Sequence, residues 1–133
     1  MRNKLLPYLA VLVVLLGLDA LWLGLIATDW YDTATGHLTA DVPSIGAAAA
    51  FYLIFPVGLM IFAVTADASP TLRLATGRGA LFGFFAYATY NLTNLATLAD
   101  WPLYISVLDI VWGTALSAVA TAAGKVCVDA QRR

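Results

Sequence analysis

The sequence predicts an all-α integral membrane protein, a four-helix transmembrane bundle with both termini cytoplasmic, and three observations predict it. The chain of 133 residues is 62% hydrophobic and only 11% charged, whereas a soluble domain carries charge on about 25% of its residues. Four apolar runs, at about 5–28, 44–66, 77–98 and 102–126, each approach the ~20 residues that cross a bilayer as a helix. All seven Lys and Arg residues fall in alternate connections: Arg2 and Lys4, then Arg73 and Arg78, then Lys125, Arg132 and Arg133. The positive-inside rule makes those regions cytoplasmic. The other two connections hold Asp29, Asp32, Asp41 and Asp100 and no basic residue, so they face the periplasm or exterior. A barrel is disfavoured, because the runs do not alternate with period two and are about twice a barrel strand's length. The prediction is one membrane-embedded domain, residues 1–133.

Helix 1 opens Met1-Arg2-Asn3-Lys4 and turns apolar, as a secretory signal does. A cleaved signal is not expected, since the run far exceeds the ~7–15 apolar residues of such a signal and carries Asp19, and Leu25 stands where a small residue is needed before Ala27. The connection at 29–43 reads as a solvated loop, with Trp30 and Tyr31 as interfacial anchors. Its Asp29, Asp32, His37 and Asp41 are metal-ligand types, but their spacing matches no metal motif and no metal site is expected. Ser44 is placed to cap helix 2, and Pro56 interrupts it, freeing the Tyr52 carbonyl and, with Gly58 alongside, making a kink that opens space. The second connection, Asp67 to Thr76, reads as a loop with a short surface helix opened by Ser69-Pro70. Helix 3 carries Gly83, Tyr87, Tyr90, Asn91, Asn94 and Leu98 at spacings of three and four, hence on one stripe. Asp100 is expected to cap helix 4, whose first turn suits Pro102, and so short a link makes helices 3 and 4 antiparallel neighbours. Small residues at i and i+4, Gly46 with Ala50, Gly79 with Gly83, and Gly113 with Ser117 and Thr121, are packing ridges that serve contacts within or between chains. Cys127 is the single cysteine; it excludes an internal disulfide and reads as structural.

The chemistry concentrates in two acids. Asp19, in Leu18-Asp19-Ala20-Leu21-Trp22, and Asp109, in Leu108-Asp109-Ile110-Val111-Trp112, sit within apolar helices, each three residues before a tryptophan. A carboxylate at the centre of a membrane helix costs about 2.5–3.5 kcal/mol or more and therefore faces a bundle interior or water-filled cavity with a partner. At the helical rise, Asp19 lies ~14 Å before the outer end of helix 1, Asp109 ~10 Å inside helix 4 and Tyr52 ~12 Å inside helix 2. Asn91 and Asn94 reach the same level from helix 3. All four helices thus contribute to one polar layer, made of Asp19, Asp109, Asn91, Asn94, Tyr52, Tyr87, Tyr90, Trp22 and Trp112.

Taken together, Leu18-Asp19-Ala20-Leu21-Trp22-Leu23-Gly24, Phe51-Tyr52-Leu53-Ile54-Phe55, the string Tyr87 to Thr97, Trp101-Pro102 and Leu108-Asp109-Ile110-Val111-Trp112-Gly113-Thr114 resemble the bacterial inner-membrane family called domain of unknown function 2177. The resemblance covers nearly the whole chain, with the helix 3 and helix 4 strings the specific part. It implies a four-span membrane protein and no particular activity. The family pattern has an acid before Leu-Thr-Asn where this chain has Asn91, which leaves two carboxylates in the layer rather than three.

Three functions fit these residues. One is the binding or carriage of a small amphipathic or cationic ligand coupled to protonation at Asp19 and Asp109, and it predicts a cavity in the outer half. So few spans would make a carrier a homo-oligomer. Another is an accessory subunit of a larger membrane complex, with a dry, fully hydrogen-bonded layer as internal glue. The third is an enzyme acting on lipid or isoprenoid through paired carboxylates, which the lack of any nucleophile or metal motif makes the least favoured. No cofactor is expected, the lipid bilayer is the one assured partner, and a net charge of −1 gives no reason to expect nucleic acid.

Overall fold

The computed structural model describes residues 3–68 and 70–133. Met1, Arg2 and Ser69 lie outside them, and so do the expected Arg2 charge and the Ser69 start of a surface helix. The described residues form five α-helices and no strand: α1 Leu5–Leu21, α2 Thr28–Thr35, α3 Ile45–Leu59, α4 Leu72–Thr97 and α5 Leu103–Ala130. Two π-helical turns, Trp22–Ile26 and Met60–Val64, prolong α1 and α3. With them, Leu5–Ile26, Ile45–Val64 and Leu103–Ala130 are long and apolar enough to cross a membrane. The 26 residues of α4 supply the length but not the apolarity, because Tyr87, Tyr90, Asn91 and Asn94 fall in the stretch that would have to cross.

α5 is the centre of the molecule, packed on α4 along one side and on α1 along another. Its partnership with α4 is built on missing side chains. A methyl group on Gly79 would run into Thr121, one on Gly83 into Ser117 and the Gly113 carbonyl, and one on Gly113 into the Tyr87 ring. The pairs 79 with 121, 83 with 117 and 87 with 113 advance by four residues on each helix in opposite directions, about 6 Å per rung. The helices are therefore antiparallel and nearly in backbone contact, as small-residue ridges permit where lipid offers no hydrophobic drive to association. The ridges expected at Gly79, Gly83, Gly113, Ser117 and Thr121 serve contacts within the chain. Gly46 and Ala50 remain exposed on α3.

The apolar core lies beside this ladder, on another face of α5, where Val11 and Leu15 of α1 meet Phe55, Leu59, Met60 and Val64 of the α3 helix and its π-helical turn and Leu116, Ala120 and Val128 of α5. One end of the bundle gathers the described basic groups. There Arg78 bonds Asp67 at 2.6 Å, Arg132 donates to the Ala68 carbonyl at 2.7 Å, and Lys4 and Arg132 line one small cavity of about 220 Å³. Lys125 is only 2% exposed, and its ammonium group pairs with Asp129 one turn along. The opposite end carries Asp29, Asp32, Asp41 and Asp100 and, among the described residues, no Lys or Arg, with His37 and Asp100 3.5 Å apart.

Several local expectations change. The segment expected as a solvated loop at 29–43 is largely helical, α2 followed by a 3₁₀ turn Gly36–Leu38. Its sequence has no proline before Pro43 and an acid, Asp29, in the first turn, which favours a helix N-terminus. Among the described residues no separate surface helix forms after Asp67. Instead α4 begins early at Leu72, because Thr71 Oγ1 accepts from the Leu74 amide at 3.1 Å and caps it. Asp100 does not cap α5; Pro102 occupies the cap position without a side-chain bond. Ser44 does cap α3, accepting from the Ala47 amide at 3.3 Å. α3 stays α-helical through Pro56, and the space beside Gly58 is taken by the Phe82 ring.

Candidate functional site: an acid pair in an aromatic cavity

Each of three helices brings a polar residue to one level by continuing its own buried stripe. The buried face of α1 is Pro7, Val11, Leu15 and Asp19, at strict spacings of four, so Asp19 occupies what the helix treats as a core position. On α4 the buried positions Ala75, Gly79 and Gly83 lead past the ring of Tyr87 to Asn91, and on α5 Asp109 precedes Gly113 and Ser117 by the same steps. Asn91 and Asp109 thus form the next rung of the glycine ladder. There a hydrogen bond replaces close backbone packing, with Asn91 Nδ2 donating to Asp109 Oδ2 at 2.6 Å.

Both carboxylates are held on both oxygens. Asp19 is 6% exposed; its Oδ2 accepts from the Tyr52 hydroxyl at 2.7 Å and its Oδ1 from Trp112 Nε1 at 2.9 Å. Asp109 Oδ1 accepts from the Tyr31 hydroxyl at 2.7 Å. That hydroxyl in turn accepts from Trp22 Nε1 at 3.3 Å, and the Trp22 and Trp112 rings lie stacked, 4.4 Å between centroids and 6° from parallel. The acids are therefore ends of one circuit: Asp19 to Trp112, Trp112 on Trp22, Trp22 to Tyr31, Tyr31 to Asp109. The recurring tryptophan three residues after each acid has a geometric meaning, since the two indoles stack on each other and join the two acid-bearing helices.

Tyr31 is the member that sequence reading missed. It was expected as an interfacial anchor, but α2 folds back so that its hydroxyl reaches Asp109. The usable signal was Ala27, Tyr31 and Ala34 at helical spacing, since both alanines are buried. Burial, then the hydrogen bond to the Asp109 carboxylate, raises the Tyr31 phenol above its ordinary pKa, so it stays protonated and remains a donor. Trp30 is exposed and meets Trp22 edge-on at 6.1 Å.

Around the pair lies a cavity of about 540 Å³, within the roughly 300–1,000 Å³ of small-molecule sites. Of the residues expected in the layer, Asp19, Tyr52, Tyr87, Tyr90, Asn91, Asp109 and Trp112 line it. Trp22 stands behind Trp112 rather than on the wall, and Asn94 is not part of the lining. The wall adds Tyr31 and Thr35 from α2, Phe51 from α3 and Trp101 before α5. Trp101 is steadied by a bond from Nε1 to Ser106 Oγ at 3.0 Å and an edge-on contact with Tyr90 at 5.7 Å. Phe55, 5.4 Å from Phe82 and 6.2 Å from Tyr87, bridges α3 and α4 below the acids. Half of the lining residues are aromatic, and none carries a positive charge.

Lys125, the one buried cation among the described residues, lies about 24 Å along α5 from Asp109 and pairs with Asp129. All four donors to the acid pair are neutral. Asn91, fully buried, directs Nδ2 to Asp109 and to the Tyr87 carbonyl at 2.9 Å, while its Oδ1 has no donor. A flipped amide would set that oxygen against both acceptors, so the orientation is fixed by its surroundings. No group of three or more His, Cys, Asp or Glu side chains able to hold a metal ion occurs among the described residues.

No curated protein and no solved structure matches the chain. A family model matches residues 4–126, taking in every element that builds the acid pair and its cavity, and the chain therefore belongs to the family described as "Predicted membrane protein (DUF2177)".

Proposed function

We propose that this protein is a four-span inner-membrane protein that binds or carries a small amphipathic or cationic ligand in the aromatic cavity, with the ligand's polar head at Asp19 and Asp109. The observation that carries this reading is the cavity itself: two membrane-depth carboxylates converge on one ligand-sized space. Structural glue would need the hydrogen bonds and not the space. Counting α4 as the fourth span rests on its length and on its antiparallel ladder with α5, which buries Asn91, the most polar residue at that level, against Asp109. The basic end then faces the cytoplasm and the acidic end the exterior, with both termini inside. On that orientation the cavity lies in the outer half of the membrane.

The accessory-subunit reading has one observation in its favour: every carboxylate oxygen of the pair already has a donor. Native mass spectrometry of protein released gently from its own membrane separates the two. A small bound molecule that disappears in Asp19→Asn and Asp109→Asn supports the ligand site and gives its mass. A large protein partner with no small molecule, unchanged in both variants, refutes it.

A further inference from the structure

We propose that the ligand is an organic ammonium ion, a protonated amine on an apolar body, held by Asp19 and Asp109 against aromatic faces and admitted from the lipid beside α3. This rests on the reading that the cavity takes a small molecule, and it names which kind.

Charge comes first. Tyr31, Tyr52, Asn91 and Trp112 orient the two carboxylates without neutralising either. An ionised acid away from water is tolerable only with a counter-charge, and the protein supplies none within the cavity. A cation entering the cavity provides it, and the neutral donors need not leave: each carboxylate offers about four lone-pair sites, of which two are taken. An ammonium N–H matches the lone pairs left over, whereas a carboxylate or phosphate ligand would face two acidic groups and find no cationic donor in the lining.

The walls select for the same charge. Aromatic faces attract cations through the ring quadrupole, most strongly where water is excluded, and Tyr87, Tyr90, Trp101 and Trp112 all line the space occupied by the acids. The same rings accommodate an apolar body.

The route follows from which lining residues are exposed. Leu23 in the turn that prolongs α1 is 43% exposed, Phe51 on α3 40% and Tyr90 on α4 54%, while Asp19 and Asn91, on the same cavity, are buried. The cavity therefore runs from the protein's lateral surface beside α3, rimmed by α4 and the end of α1, inward to the acids. Below this opening Phe55, Phe82 and Tyr87 close α3 and α4 together.

The test compares three probes that share one apolar body: 4-phenylbutylammonium, 4-phenylbutanol and 4-phenylbutyrate. Each is titrated into wild-type protein in nanodiscs of zwitterionic lipid, following tryptophan emission and subtracting empty nanodiscs. The ammonium probe is expected to bind at least about tenfold more tightly than the alcohol, the order of one desolvated cation–π contact, with the butyrate weakest. In Asp109→Asn the advantage of the amine over the alcohol should shrink severalfold. If the alcohol or the butyrate binds as tightly as the amine, the ammonium assignment falls and the cavity remains a ligand site. If none of the three binds, both the assignment and the ligand reading fall. The main comparison uses unaltered protein, so it does not depend on a variant's folding.

Discussion

At the residue scale, the notable fact about Asp19 and Asp109 is how ordinary their positions are. Each continues a stripe that would otherwise hold small or apolar residues, so each helix delivers its acid inward without any special backbone device. The cost of burial is reduced locally, though not cancelled, by four neutral hydrogen bonds, each worth more where water cannot compete. Tyr31 does the most, because it closes the circuit between the two acids from outside the long helices. Tyr31→Phe keeps the ring and removes the hydroxyl, leaving Asp109 Oδ1 and the Trp22 N–H without partners. It should destabilise the folded bundle by about 1–3 kcal/mol, read as an earlier loss of helical circular dichroism on titration from mild detergent into dodecyl sulfate. A transition unmoved by the substitution would mean the α2 contact is incidental.

At the scale of elements, α4 and α5 form one rigid unit whose rungs fix where the acids stand. A methyl added at Gly83 has to displace Ser117 and the Gly113 carbonyl, and overpacking of that kind costs about 1–3 kcal/mol. Gly46 has nothing within 4 Å of the same added methyl. Gly83→Ala should therefore lower the midpoint of thermal aggregation, while Gly46→Ala should leave it level or raise it, since alanine suits a helix better than glycine by up to ~1 kcal/mol. Equal responses would show that the ladder does not hold the helices together. This ladder was half legible in the sequence: the small-residue spacing was visible on each helix. That the ridges face each other within one chain was not, because spacing fixes a face and never its partner.

At the scale of the whole molecule, the two ends differ in charge and the three most apolar helices differ from α4 in hydropathy. The proposed topology is tested in a Cys127→Ser background by single cysteines at Thr39, Ala66 and Asp100, exposed to a membrane-impermeant maleimide on intact cells. Thr39→Cys and Asp100→Cys should label and Ala66→Cys should not. If Ala66→Cys and Asp100→Cys behave alike, α4 does not cross and the molecule has three spans.

The class of protein, the number and approximate bounds of the long helices, the order of basic groups along the chain and the gathering of polar residues toward one level are all legible in the amino-acid sequence. These follow from hydropathy and from a helical rise that is the same in every helix. Its reading of 29–43 as a solvated loop failed because a short polar helix docked on a bundle owes its existence to what it touches, here Asp109 and Trp22, and leaves little mark in local hydropathy. The stacking of Trp22 on Trp112, the pairing of Asn91 with Asp109 and the cavity they enclose were decided only by the tertiary structure, because each depends on the azimuth of one helix about another, and that is set by packing partners distant in the chain.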